Sequence, residues 1–183
     1  MSHIITFSGL PGIGKTALIR EILRRHSRAT VIPSFTTRRE RDWDTVEYEF
    51  ENISDRAFDD LTFLWIREYG FDRYGTMAKS IDHAIRENDL SLMNVMPDVI
   101  PELLLYLVDN DVRCTHLFVC APPVEELQAQ LTTRGEDESS VKKRLAESMT
   151  WERLAARSDH LKFHFIKHRA AAEMAHIVLE ILS

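Results

Sequence analysis

Residues 9–16 combine glycines, a lysine and a threonine in a spacing that can bind phosphate. The segment reads Gly-Leu-Pro-Gly-Ile-Gly-Lys-Thr and directly follows the short apolar stretch Ile4 to Phe7. In this pattern, the P-loop, backbone N–H groups surround phosphate oxygens where side chains would block the approach. Lys15 is expected to contact the β- and γ-phosphates as a catalytic cation, and the Thr16 hydroxyl is expected to bind Mg²⁺. The segment therefore predicts an ATP and Mg²⁺ site formed by Gly9, Pro11, Gly12, Ile13, Gly14, Lys15 and Thr16.

A glycine-rich turn before a helix is the purely structural alternative for this segment. The motif, however, follows a strand-like stretch and precedes residues 17–25, whose apolar spacing is helical. Because a P-loop requires strand, loop and helix in that order, phosphate binding is the preferred interpretation.

A second block offers cations and hydroxyls close together. Ser34-Phe35-Thr36-Thr37-Arg38 is followed by Arg41, and Tyr48 and Phe50 come soon after. Taken alone, the segment from Thr36 to Arg41 is typical of a charged loop in solvent. The blocks further along the chain change that interpretation.

All these blocks together resemble the guanylate kinase family. They occur in the family's order, with near-family spacing, over almost the whole chain. They are Ser34 to Arg38 with Arg41, Tyr48 with Phe50, Tyr74-Gly75-Thr76, Ala121-Pro122-Pro123 with Glu125, Glu126 and Leu127, Arg134-Gly135, and Lys143-Arg144-Leu145. The resemblance implies an ATP-dependent phosphotransferase that acts on a phosphorylated small molecule.

The resemblance also assigns the residues that bind the acceptor. In guanylate kinases the matching serine, arginines and tyrosines hold the phosphate of the acceptor nucleotide. Two guanidinium groups and three hydroxyls suit a dianionic phosphate chemically. The implied acceptor residues are Ser34, Arg38, Arg41, Tyr48, Tyr74 and Thr76, with Trp65 as a further candidate.

Two more arginines match the lid that closes over the phosphates in the family. Arg134 lies within Gln-Leu-Thr-Thr-Arg-Gly, and Arg144 follows an acidic connection. Phosphoryl transfer needs positioning and charge stabilisation rather than a covalent intermediate. Arg134 and Arg144 are therefore expected to be catalytic together with Lys15. The alternative is that both lie on solvated helix faces.

The chain departs from the family pattern where guanine is read. Trp65 replaces a glutamate that helps to read guanine in the family. Asn94 and Met96 replace two aspartates on the strand after the acceptor helix, which serve the catalytic centre and guanine recognition in the family. Lys167-His168 likewise replaces the family's Asn-Asp near the adenine. The N1–H and amino group of guanine need acceptors, and leaving each unpaired costs about 1–3 kcal/mol. GMP is therefore expected to be a poor acceptor.

These departures leave the acceptor open. A nucleoside monophosphate other than or besides GMP is the first expectation, with Trp65 either stacking on the base or packing in the core. Two alternatives are a ribose bisphosphate-type sugar phosphate kinase and a guanylate kinase-like binding module without catalysis. The intact Lys15 and Thr16 favour an enzyme. Asp98, directly after Pro97, is predicted to cap a helix rather than to replace a lost carboxylate.

The elements that position these residues alternate between strand and helix patterns. Strands are predicted at residues 4–7, 29–32, 46–50, 90–96, 116–120 and 162–166, and helices at 17–25, 55–64, 76–88, 124–133, 141–157 and 170–182, with another ending at 108. Such alternation predicts a three-layer α/β P-loop NTPase fold with a parallel core sheet. One domain is expected, with a core at 1–32, 81–130 and 149–183, an acceptor-binding insertion at 33–80 and a lid at 131–148.

Composition limits the possible partners. The chain has 183 residues, with 23 Lys plus Arg against 29 Asp plus Glu, so its formal charge is −6. This charge argues against general binding of nucleic acid or anionic lipid. No apolar stretch is long enough to span a bilayer, and the N-terminus lacks a basic leader, so a cytoplasmic location is expected. The expected partner is a small phosphorylated acceptor, and the oligomeric state is not indicated.

Overall fold

The computed structural model describes residues 2–10, 12–38, 50–69, 72–133, 138–157 and 161–182. The strands are β1 Ser2–Ser8, β2 Ala29–Val31, β3 Ser34–Thr36, β4 Phe50–Asn52, β5 Trp65–Tyr69, β6 Asp72–Thr76, β7 Leu90–Asn94, β8 Val112–Val119 and β9 Phe163–Ile166. The helices are α1 Lys15–Arg25, α2 Asp55–Asp59, α3 Ala78–Glu87, α4 Ile100–Tyr106, α5 Val124–Thr133, α6 Glu138–Ala156 and α7 Ala171–Leu182.

A parallel five-stranded sheet forms the core, in the order β2-β7-β1-β8-β9. In β1, residues 4–8 are all buried, and in β7 residues 90–93 are buried. Continuous burial of this kind is typical of parallel strands that are covered on both faces by helices. The predicted α/β fold with a parallel core sheet is confirmed.

A second sheet has four strands, in the order β4-β3-β6-β5. Strand β3 is parallel to β4 and antiparallel to β6, and β5 is antiparallel to β6. Strands β3, β5 and β6 were not predicted from the sequence, and the helices predicted at 55–64 and 76–88 are shorter in the structure, where α2 is Asp55–Asp59 and α3 is Ala78–Glu87. These strands escape prediction because they are three to five residues long, and charged residues such as Arg67, Glu68 and Arg73 interrupt the apolar pattern of β5 and β6.

One face of this second sheet is a small apolar core. Phe35, Phe58 and Met77 are buried there, and Phe63 packs against them. The ring centroid of Phe63 lies 4.3 Å from that of Phe58. A Cβ atom at Gly75 would come within 2.7 Å of the Phe63 ring, so only glycine fits at this point of β6.

An arginine covers the solvent side of that small core. The Arg73 guanidinium lies 4.4 Å from the centroid of the Phe58 ring. Its Nη1 donates to Asp59 at 2.7 Å, and its Nη2 donates to Asp55 at 3.3 Å. These contacts attach α2 to β6 through charge-assisted hydrogen bonds.

The chain divides into two compact units, residues 1–5 with 23–114 and residues 6–22 with 115–183. The first unit contains the whole four-stranded sheet, and the second contains the P-loop. The predicted division into core, acceptor-binding insertion and lid stays a prediction. No helix in the described part of the chain is long and apolar enough to cross a membrane.

Aromatic and thiol side chains pack on β8 in the second unit. The ring centroid of Phe118 lies 6.1 Å from Phe163 and 5.6 Å from Phe165. His116 is 7% exposed, and its Nδ1 lies 2.9 Å from the Thr6 hydroxyl. At the end of the strand Cys120 is a free thiol whose pKa burial raises to about 11, so it stays protonated near neutral pH.

Candidate active site

The P-loop has the backbone that its glycines predict. Gly9, Gly12 and Gly14 adopt φ values of 135°, 87° and 94°, which residues with a Cβ atom rarely adopt. At Gly9 a Cβ atom would also lie 2.5 Å from the carbonyl oxygen of Val119. Close backbone packing and left-handed dihedral angles therefore both require glycine in this loop.

Lys15 folds back over the loop from the first turn of α1. Its side chain is buried, and Nζ donates to the carbonyl oxygens of Gly9 and Leu10, both at 2.8 Å. A buried ammonium needs such partners because removal of its hydration is costly. These contacts keep the charge inside the loop, where a phosphate oxygen can replace a carbonyl partner.

The same loop fits a nucleotide phosphate with Mg²⁺. Apart from Gly14 and its two chain neighbours, no heavy atom of the described residues lies within 4 Å of the place where a Cβ atom of Gly14 would stand, so this side of the loop is open toward that part of the chain. Thr16 is the second residue of α1, and a helix N-terminus attracts anions. An open side, a lysine in the loop and a hydroxyl at the helix start together form a donor set suited to ATP with Mg²⁺.

Four predicted acceptor residues, Ser34, Trp65, Tyr74 and Thr76, share one face of the four-stranded sheet. Thr36 pairs with Tyr74 across β3 and β6, and Trp65 pairs with Thr76 across β5 and β6. Since side chains alternate along a strand, this face lies opposite the apolar face that contains Phe35. It carries Ser34, Thr36, Tyr74, Thr76, Trp65 and Arg67, and it is called the acceptor face below.

Two hydroxyls on the acceptor face form a buried hydrogen bond. The Oγ of Ser34 lies 2.8 Å from the Oγ1 of Thr76. Both side chains are buried, at 6% and 0% exposure. The bond holds the two central strands of this sheet at the point where the predicted acceptor residues meet.

Arg38 is held through its backbone just beyond β3. Its N–H donates to the Oγ1 of Thr36 at 3.2 Å, and its carbonyl accepts from the Nδ2 of Asn52 at 2.9 Å. Arg38 is 9% exposed, so its cationic side chain is largely shielded from water. A shielded guanidinium is well suited to bind an anion strongly.

Several predicted site residues cannot be placed. Pro11, Arg41, Tyr48 and Arg134 lie outside the described residues. Arg144 falls within α6, and nothing is stated of its side chain. Their predicted roles stay predictions.

Trp65 is buried, with 6% of its surface exposed. Of the two interpretations offered by the sequence, packing and stacking, its burial supports packing. The indole thus fills the position that the family resemblance gives to a carboxylate. Asn94 ends β7 and Met96 follows it, so neither of these two positions supplies a carboxylate.

An ion-pair cluster next to Trp65 was missed by the sequence analysis. The Nε of Arg67 donates to Asp98 Oδ2 at 2.6 Å, and its Nη2 donates to Glu102 Oε1 at 2.5 Å. These bonds, first to Glu102 and then to Asp98, raise the pKa of Arg67. No sequence signal pairs Arg67 with residues 31 and 35 positions away.

The predicted N-cap role of Asp98 is wrong, because Met96 occupies the N-cap of the short 3-10 turn 97–99.

Comparison with known proteins agrees with this geometry. The sequence model of the family described as guanylate kinase matches residues 1–174. A guanylate kinase of Syntrophus aciditrophicus is 31% identical over 146 residues, which cover 77% of this chain and 68% of that protein. A guanylate kinase of Nitrosomonas europaea is 26% identical over 183 residues, covering 97% of this chain and 89% of that protein.

Solved structures show the same fold. The crystal structure of guanylate kinase from Anaplasma phagocytophilum has a TM-score of 0.69 at 14% identity, covering 100% of this chain and 84% of that one. A tunicamycin resistance protein of Deinococcus radiodurans has a TM-score of 0.59 at 17% identity, covering 100% of this chain and 96% of that one. The family match over 174 residues and the intact P-loop together show that the chain belongs to the guanylate kinase family and is a kinase that uses ATP with Mg²⁺.

Proposed function

We propose that this kinase transfers the γ-phosphoryl group of ATP to a nucleoside monophosphate and that GMP is a poor acceptor. The observation that carries the proposal is the acceptor face, where Ser34, Tyr74 and Thr76 share one surface with the buried Trp65. Hydroxyls suited to a phosphate are retained there, whereas an indole fills a base-reading position.

The phosphate of the acceptor is assigned to a cluster of hydroxyls and guanidinium groups. Ser34, Arg38 and Tyr74 belong to the first compact unit, and Ser34 and Arg38 are shielded from solvent. Arg41 and Tyr48 complete the set by family resemblance. Charge-assisted hydrogen bonds from such groups are short and about twice as strong as neutral ones.

The phosphates of ATP are assigned to the P-loop. Lys15 orients them through its ammonium, and Thr16 would hold Mg²⁺ through its hydroxyl. When bound, Mg²⁺ offsets negative charge on the phosphate oxygens. Arg134 and Arg144 are assigned to charge stabilisation over the transferring group. No protein nucleophile is required, because the phosphorylated acceptor attacks directly.

Discrimination against GMP follows from the donors that guanine would leave unpaired. At the three positions where the family has carboxylates, this chain has Trp65, Asn94 and Met96. Each guanine donor left without an acceptor costs about 1–3 kcal/mol. Two unpaired donors would together cost at least about 2 kcal/mol and therefore weaken the binding of GMP by about thirtyfold or more.

A sugar phosphate is a second candidate, favoured by the burial of Trp65. An indole is larger than the glutamate side chain that the family resemblance gives to this position, and its 6% exposure supports a smaller space for a base. A smaller acceptor, such as a ribose phosphate, needs less room beside the same phosphate-binding residues.

A panel of acceptors tests the proposal. Purified enzyme with ATP and Mg²⁺ is incubated separately with each nucleoside monophosphate, the deoxy forms and ribose phosphates, and ADP release is followed. We expect a nucleoside monophosphate other than GMP to have the highest kcat/KM, whereas a ribose phosphate as the best acceptor would favour the second candidate; the Lys15→Ala variant is the inactive control. A preference for GMP of tenfold or more over every other acceptor would overturn the proposal.

A further inference from the structure

The cluster of Arg67, Asp98 and Glu102 lies beside both segments in which the family reads guanine. Arg67 is two residues after Trp65 in β5, on the same acceptor face. Asp98 is two residues after Met96, in the 3-10 turn that leads into α4. The cluster therefore joins two stretches of chain that contain the replaced base-reading positions.

The hydrogen bonds of this cluster determine the orientation of the guanidinium. Its Nε and Nη2 bond to Asp98 and Glu102, and its Nη1 donates to the carbonyl of Ile66 at 2.8 Å. The Arg67 side chain is 27% exposed, whereas the two carboxylates are 59% and 42% exposed. Because all three of its nitrogens are hydrogen-bonded, the planar guanidinium is held in a single orientation. In this orientation it connects β5 to the 3-10 turn and to α4.

We infer that the cluster of Arg67, Asp98 and Glu102 determines acceptor selectivity by holding the Trp65 strand at a set distance from the Met96 segment. The inference rests on the proposed function, because it concerns the acceptor site of that reaction. Arg67 is a positioning residue here: it acts on the width of the base region by connecting β5 to the 3-10 turn and to α4. Without the cluster, Trp65 and Met96 can move apart. The site then binds every acceptor more weakly than the wild type does, and its affinities for bases of different size become similar.

The opposite face of the same sheet provides a matched control. Arg73 also bonds two carboxylates, those of Asp55 and Asp59, and its side chain is 26% exposed, against 27% for Arg67. Its guanidinium lies over the Phe58 ring, on the apolar side of the sheet. Loss of Arg73 removes a similar pair of ion pairs from the neighbouring strand β6 of the same sheet without touching the acceptor face.

Three variants of the full chain test the inference: Arg67→Gln, the double variant Asp98→Asn with Glu102→Gln, and the control Arg73→Gln. The double variant removes the same ion pairs by changing the two carboxylates instead of the arginine. It serves as the test if Arg67→Gln does not fold. For each, KM for the acceptor, KM for ATP, kcat and the melting temperature are measured. The acceptor panel is then repeated to compare the ranking of acceptors.

We expect the first two variants to raise KM for the best acceptor at least tenfold and to reduce the difference between acceptors. KM for ATP should stay within twofold, and Arg73→Gln should lower the melting temperature without changing either KM. A variant that only lost stability would not raise KM for the acceptor while leaving KM for ATP unchanged. A rise in the acceptor KM alone therefore identifies a positioning role.

The outcomes also separate the inference from the proposed function. If the wild type phosphorylates an acceptor and the Arg67 and Arg73 variants behave alike, the inference is overturned and the function stands. If nothing is phosphorylated but calorimetry shows binding of a nucleoside monophosphate that Arg67→Gln weakens tenfold, the inference stands and the function fails. Absence of both turnover and binding would overturn both.

Discussion

At the scale of single residues, the P-loop shows how a local segment can determine its own geometry. Three glycines with positive φ place Lys15 at the start of α1, and its ammonium then reaches back to two loop carbonyls. All these contacts fall within seven consecutive residues, 9–15. They follow from backbone sterics and from the need to pair a buried charge.

Replacing Lys15 by alanine should abolish phosphoryl transfer and leave the fold intact. The Nζ atom is paired with two loop carbonyls in the first turn of α1, so we expect the melting temperature to change by only a few degrees. Turnover should fall at least about a hundredfold, as when other charge-stabilising groups are removed. Calorimetry with ATP and Mg²⁺ and an ADP-release assay measure the two effects.

A surface lysine serves as the control for that substitution. Lys79 lies exposed in α3, and Lys79→Ala should keep the activity of the wild type. An ATP affinity unchanged by Lys15→Ala would exclude Lys15 from nucleotide binding.

Residues that act through distant partners were not predictable from the sequence. Arg67 and Asp98 are 31 positions apart and belong to different patterns, so nothing local indicates their 2.6 Å contact. The acceptor residues could be predicted because blocks that resemble the guanylate kinase family contain them. Trp65 was noticed only because it departs from the family pattern, and only the structure shows that its side chain is buried.

At the scale of elements, prediction succeeded where apolar residues run continuously and failed where they alternate briefly. Strand β7 and helix α5 were predicted closely, because residues 90–93 are buried and residues 124–133 have helical spacing. Strands β5 and β6 carry charged side chains, and their stability comes from tertiary contacts of the second sheet. Such contacts override local preference and are not visible in a single sequence.

Gly75→Ala should destabilise the four-stranded sheet. The added Cβ would lie 2.7 Å from two atoms of the Phe63 ring, which itself packs on Phe58. Overpacking of this kind costs about 1–3 kcal/mol, and it should lower the urea midpoint without a change in m value.

The partner substitution Phe63→Leu provides the control for Gly75→Ala. A smaller side chain at residue 63 leaves room for the new methyl group, so Gly75→Ala should cost less in that background. The coupling between the two substitutions should amount to about 1 kcal/mol or more. Additive effects would show that the ring does not limit this position.

At the scale of the whole molecule, the titration of buried groups links folding to pH. His116 is 7% exposed in β8, next to Thr6 and Phe163, so its ring is covered on several sides. Burial, with a smaller effect of His164, lowers the pKa of His116 to about 4 from an ordinary value of 6.5. The folded protein therefore keeps this imidazole neutral at pH values where the unfolded chain protonates it.

The free energy of unfolding should consequently fall in mild acid. Above pH 6.5 His116 is neutral in both states and its contribution is fully present. Between pH 6.5 and about 4 only the unfolded chain binds the proton, so stability decreases progressively, by about 3 kcal/mol in total.

Two variants test whether His116 causes this decrease. His116→Asn should retain the hydrogen bond to Thr6 and lose the pH dependence, whereas His83→Asn, at an exposed position of α3, should keep it. Urea unfolding of the three proteins at pH 7.5 and pH 4.5 gives the comparison. If the wild type and His116→Asn lose the same stability between these two pH values, His116 does not control the acid sensitivity of the fold.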